Sequence, residues 1–180
     1  MDARYISPPK TDTERVLLYL VRTGILIVLF TPLVVTTSTL YPFIVGKAVF
    51  SRTVIEITFA LWVMLALTYP TYRLRRSWVL VAVAVWIAMS IVAGFSGVSL
   101  QRSLWSTYER MQGIFDQVHW FAFMIVAASV FRNVTHWKLL FSVNLGFSVV
   151  VSLLGAAKMY DLVDWIWLGS GIRVESTLGN

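Results

Sequence analysis

Cysteine is absent from the 180 residues, so neither a disulfide framework nor a thiolate metal site is available. Carboxylates are scarce too: nine against fifteen lysines and arginines, within a charged fraction of only 13%. A soluble domain so poor in charge would lack the polar surface to cover itself. Histidine occurs twice, at His119 and His136, with no tight carboxylate cluster beside either, so no metal or other cofactor is expected. Charge is also missing from the middle of every long apolar run, and no unwound Gly/Pro break is read in any of them. Both absences argue against a transporter component.

What is present is apolar. Hydrophobic residues make up 58% of the chain, with eight Trp and a mean hydropathy of +0.74, the composition of a polytopic membrane protein. A net charge of +6 raises the question of nucleic acid. The basic residues lie between apolar runs, however, where they report topology instead, and no nucleic-acid partner is expected.

Five runs are long enough to span a bilayer: 17–36, 53–69, 78–95, 114–131 and 139–157. A polar, disordered tail over 1–16 precedes a membrane domain over 17–180. The first run is too long for a signal peptide, and Thr36, Thr37 and Ser38 make a poor cleavage site. Pro42 and Gly46 are read as breaking helical continuity over 41–52. With five spans, nine basic residues fall on the N-terminal side, among them Arg22, Arg73, Arg75, Arg76 and Arg132, and six on the other. The richer side is therefore expected to be cytoplasmic. In the fifth run, Ser142/Gly146 and Ser148/Ser152 fit close helix packing.

The polar chemistry concentrates between the third and fourth runs, in FSGVSLQRSLWSTYERMQGIFDQVHW, 95–120. Leu100, Leu104, Tyr108, Met111, Phe115 and His119 recur at three- and four-residue steps, predicting a helix over 100–112 that bends at Gly113. With Trp105 and Tyr108 at interfacial positions, that helix is expected to lie on the non-cytoplasmic membrane surface. The expected fold is thus all-α, with about five transmembrane helices and one outward-facing amphipathic helix. Two charges lie inside the first two runs. Arg22 is expected to snorkel to the surface, and Glu56 to pair with Arg52, one helical turn before it.

Several segments carry a resemblance. YPFIVGKAVFSRTVIEITFALWVMLAL at 41–67, the P-x-Y-R-x-R-x-S turn at 70–77, SLQRSLWSTYERMQG at 99–113 and RVESTLGN at 173–180 occur in order. Together they resemble the N-terminal part of bacterial O-antigen ligase and polymerase family proteins. The W-S-x-Y-E-R-M-x-G core at 105–113 is the most distinctive piece. The resemblance implies glycan transfer from an undecaprenyl-diphosphate-linked donor to lipid A core, a glycan or a protein hydroxyl. It places that reaction, part of lipopolysaccharide and cell-envelope synthesis, at the outer face of the bacterial inner membrane, without a metal. The partners it implies are the lipid-linked oligosaccharide and membrane lipid.

A diphosphate leaving group concentrates negative charge, which arginine forks stabilise. Arg173, in the segment that resembles the family, and Arg110 and Arg102, in the central stretch, are therefore the expected substrate-binding residues. No catalytic residue is assigned. Family members have about twice as many spans and a large outer loop whose histidine is held to activate the acceptor, and neither His119 nor His136 matches it. The chain is accordingly expected to be an N-terminal fragment, inactive alone. The rival from another class is a non-catalytic membrane structural or interaction subunit.

Overall fold

The structure, a computed structural model, describes residues 9, 11–36, 41, 44–107 and 111–159, with 158 and 159 described by backbone alone. The described residues form six helices and no strand: α1 Asp12–Val28, α2 Val45–Thr68, α3 Trp78–Ser96, α4 Leu100–Trp105, α5 Ile114–Val130 and α6 Val134–Met159. Of these, α2, α3 and the 24-residue portion Val134–Ala157 of α6 are long and apolar enough to cross a membrane. That makes three of the five expected spans, a count compatible with a multi-pass membrane protein. The apolar helix α5 has 17 residues and falls short of that length.

The first expected span is divided. Thr11 caps α1, its side chain accepting from the Glu14 backbone N–H at 3.2 Å, so the helix begins at Asp12 rather than Leu17. It ends at Val28, and a single 3-10 turn, Thr31–Leu33, follows. Pro32 is the cause, because it lacks an N–H and its ring clashes with the carbonyl four residues earlier. The second span starts early instead. α2 takes in Gly46, Lys47 and Arg52, because a glycine one residue inside a helix end costs too little to stop it.

α2 is the central element, packed against both α1 and α5, and α5 in turn touches α3 and α4. Leu18, Val21, Ile25 and Val28 recur at helical steps along α1 and are all buried. The first three meet Trp62, Leu65 and Ala66 of α2, and Val126, Ala127 and Val130 of α5, in one core. Gly24 lets α1 and α2 approach closely: a Cβ there would lie 2.9 Å from Thr58 Cγ2, so a larger residue requires the Thr58 side chain or the helix to give way. In a membrane this core is held by van der Waals contact and hydrogen bonds, since lipid tails are as apolar as the side chains.

Tyr72 fastens the end of the bundle where α2 stops. Pro70 ends α2 and begins a 3-10 turn that carries Tyr72 into the core, where it is fully buried. Its hydroxyl donates to Glu14 Oε1 at 3.0 Å, and its carbonyl accepts from Trp62 Nε1 at 3.2 Å. Burial, then the hydrogen bond and charge of Glu14, push the Tyr72 phenol up to about 12; the Arg22 and Arg132 charges oppose that shift. Arg22, expected to snorkel, lies near this end of the bundle. It is half-buried, and its Nε is buried without a hydrogen-bond partner among the described residues.

α6 stands apart. Leu140 and Trp137 join the shared core, and Phe147 meets Phe30 edge-on at 5.6 Å. The small-residue stripe does not pack as expected. Among the described residues a Cβ at Gly146 would meet nothing within 4 Å, and Ser148 and Ser152 donate back into their own helix, to the Asn144 and Ser148 carbonyls.

Candidate functional site

The polar residues gather at the opposite end of the bundle, where α3 stops, α2 and α5 begin and α4 bridges them. Ser99 caps α4, its side chain accepting from the Arg102 N–H at 3.4 Å. The expected helix over 100–112 is only six residues long, ending at Trp105. Ser106 is the reason: its backbone sits at φ 65°, ψ −152°, a region that residues with a Cβ rarely enter. Met111 also has positive φ, at 50°. The chain thus turns back on itself, and Trp105 stacks on Phe115 at 4.4 Å instead of continuing along one helical face.

Gly113 permits this return. Its Cα passes against the backbone of Leu104 and Trp105, where a Cβ would collide with the Leu104 carbonyl and lie 2.7 Å from the Trp105 nitrogen. α5 begins at the next residue, as the expected bend at Gly113 required.

Between α4 and the returning chain lies a cleft of about 460 Å³, lined by Ser99, Gln101, Arg102, Trp105, Ser106, Thr107 and Met111. Its volume falls within the usual range for small-molecule sites. Of the three arginines expected to bind substrate, Arg102 lines this cleft and is exposed, with no carboxylate partner among the described residues. Arg110 and Arg173 lie outside the described residues.

Beneath the cleft are two cross-helix contacts. Arg52 of α2 pairs with Asp116 of α5, Nη2 to Oδ1 at 3.2 Å, with both side chains largely buried. The same Nη2 donates to the Met111 carbonyl, tying the ion pair to the cleft wall. Asp116 Oδ2 accepts from Trp120 Nε1 at 3.2 Å. One turn deeper, His119 Nε2 meets Glu56 Oε1 at 2.8 Å, while its Nδ1 faces the Phe115 carbonyl at 2.6 Å. A neutral imidazole has one N–H, so only the doubly protonated ring donates to both acceptors at once.

This arrangement corrects the expected Arg52–Glu56 pair. Arg52 and Glu56 do share a face of α2, but each finds its partner across the interface, because α5 runs alongside α2 in the same direction and presents Asp116 and His119 three residues apart. The helical spacing of both pairs was visible in the sequence. Which helix would lie opposite α2 was not. Among the described residues, no three His, Asp or Glu side chains gather into a set able to hold a metal ion.

Chemically, the cleft offers a guanidinium without an ion-pair partner among the described residues, hydroxyls of Ser99, Ser106 and Thr107, the Gln101 amide and an indole face. That set fits an anionic, hydroxyl-rich ligand. Compared with protein families, curated proteins and solved structures, the chain matches none.

Proposed function

We propose that the chain is the donor-side part of a membrane glycosyl-transfer protein of the O-antigen ligase type, binding an undecaprenyl-diphosphate-linked glycan at the α4 cleft. The observation that carries this reading is Arg102, unpaired among the described residues and exposed in a 460 Å³ cleft at one end of apolar helices. The resemblance over 41–67, 70–77 and 99–113 supports it.

The proposed topology has five spans with a cytoplasmic N-terminus at the bacterial inner membrane. Its first span combines α1 with the Thr31–Leu33 turn, and 17-residue α5 serves as a short fourth span. The cleft then opens at the outer membrane surface, with Trp105 at the interface. Arg102 forks one diphosphate oxygen pair as the glycosidic bond breaks, and Arg110 and Arg173 are proposed to join it. Metal is not needed in this scheme, because arginine charge offsets the charge that develops on the leaving group.

The test is binding of undecaprenyl diphosphate to the purified chain in detergent, followed by Arg102→Ala. The reading expects saturable binding that weakens roughly ten- to a hundredfold in the variant. Absence of binding to the wild-type chain, or unchanged affinity in the variant, removes the cleft as donor site. A second reading, a non-catalytic interaction subunit, is favoured by α6, whose Gly146 face meets no other part of the described chain. Cross-linking at Gly146→Cys in native membranes distinguishes it by capturing a partner helix.

A further inference from the structure

We propose that the Tyr72 end of the bundle carries a binding site for one anionic phospholipid, separate from the α4 cleft and independent of any sugar-transfer role. Leu74, Arg75, Arg76, Ser77, Leu80, Val81, Ala84 and Phe121 line an open groove of about 320 Å³ between α3 and α5. Its composition is divided by position. Two exposed arginines stand at the mouth, immediately before α3, and every lining residue beyond Ser77 is apolar.

The mouth segments themselves carry only positive charge. Segment 70–77 and the α5–α6 link together hold Arg73, Arg75, Arg76 and Arg132 and no carboxylate. Among the described residues none of these four forms an ion pair. Arg132 is tied down by its donation to the Arg73 carbonyl at 3.0 Å and to the Ser129 carbonyl at 2.9 Å. Burial, and then the charge of Arg75, lower the Arg132 guanidinium from its ordinary value, so the cations repel one another. Arg76 lies over the Trp78 ring, 5.3 Å from its centroid, which fixes that guanidinium at the groove mouth. A phosphate here eases the repulsion between Arg75 and Arg132.

The apolar part points to a lipid rather than to a free anion. Val81, Ala84, Val85, Ala88 and Val92 follow helical steps along one face of α3. Past Ala84, that face continues into a second hollow of about 390 Å³ lined by Val85, Ala88, Met89, Val92 and Ala93. Because α3 is long and apolar enough to span a membrane, Arg75 and Arg76 stand at headgroup depth and the hollow at acyl-chain depth. An anionic phospholipid matches both parts at once.

The experiment is native mass spectrometry of the delipidated full chain with dioleoyl phosphatidylglycerol or dioleoyl phosphatidylcholine, with fold checked by circular dichroism. One phosphatidylglycerol per chain should be retained, favoured over phosphatidylcholine by roughly ten- to thirtyfold from two near-surface arginines. The double variant Arg75→Gln/Arg76→Gln should abolish that preference. Ala84→Trp, which fills the groove and leaves the charges intact, should weaken retention independently. Equal retention of the two lipids overturns the site. So does displacement by glycerol 3-phosphate at matched concentration, or unchanged retention in either variant.

Discussion

Arg52 and Asp116, 64 residues apart, form the ion pair that joins α2 to α5 and holds the Met111 carbonyl at the wall of the α4 cleft. Sequence-local pairing on α2 would leave the cleft without this support. The two side chains are 12% and 19% exposed, so water screens them weakly and removing either leaves a charge in a poor environment.

The first prediction tests that pair as a unit. Breaking a fully buried ion pair costs roughly 3–5 kcal/mol, and the residual exposure here reduces that to about 2 kcal/mol for Asp116→Asn. Arg52→Gln should cost at least as much, because the Met111 carbonyl loses its donor as well. In a double-mutant cycle read by denaturant unfolding in detergent, the coupling should exceed about 1 kcal/mol. Strictly additive effects would mean the two residues act separately.

Ser106 gives a prediction of opposite sign. Its backbone occupies a region open to glycine and unfavourable to other residues by about 1–3 kcal/mol. Ser106→Gly should therefore raise unfolding stability by about 1 kcal/mol, whereas Ser106→Val should lower it. A destabilised Ser106→Gly would show that the hydroxyl, rather than the backbone, holds this turn.

Legibility in the sequence followed from how local each cause was. α3 was readable to within a residue, since Trp78–Ser96 is a strongly apolar run without a charge, flanked by Arg76 and Gly97. The start of α5 at Ile114 was readable from Gly113. Pro32 was equally visible, yet its power to split the first run was masked by the length of apolar sequence around it. The expected helix over 100–112 failed for a non-local reason: its apolar spacing is real, but stacking of Trp105 on Phe115 and the close pass of Gly113 against Leu104 reward a reversal. The partners of Arg52 and Glu56 were hidden for the same reason, because they depend on which helix lies opposite α2. Arg102 needed no tertiary information to be singled out; the cleft around it did.

Tyr72 makes the bundle's stability depend on alkaline pH. Its phenol is raised from 10.0 to about 12, chiefly by burial and then by Glu14, so the folded chain holds the proton more tightly than the unfolded chain does. The resulting stabilisation is fully present below pH 10 and is lost as pH rises through about 12. Tyr72→Phe removes a hydrogen bond to a carboxylate, at a cost of roughly 1.5–3 kcal/mol near neutral pH. Because the variant lacks the phenol, the gap between it and wild type should narrow between pH 10 and pH 12 in paired unfolding curves. A constant gap across that window would mean that the Tyr72 phenol titrates alike in the folded and unfolded chain, with no upward shift.

Arg102 and Arg52 should separate function from fold. Both are arginines at the α4 end, but the Arg52 guanidinium is committed to Asp116 and Met111, whereas Arg102 is exposed in the cleft without an ion-pair partner among the described residues. Arg→Lys keeps the charge and removes the flat two-point fork, so the effect of that change depends on what the fork grips. Arg102→Lys should leave unfolding stability within about 0.5 kcal/mol of wild type, as surface substitutions do. Under the proposed function it should weaken undecaprenyl diphosphate binding by about tenfold, one charge-assisted contact at the lower end of its range. Arg52→Lys should do the reverse, lowering stability by about 1–2 kcal/mol and changing donor affinity only as far as the cleft wall at Met111 shifts. Both variants are measured by denaturant unfolding and by donor titration on the same detergent preparations. If Arg102→Lys loses stability and Arg52→Lys loses only binding, the roles are exchanged, and the diphosphate site lies at the α2–α5 interface instead of in the α4 cleft.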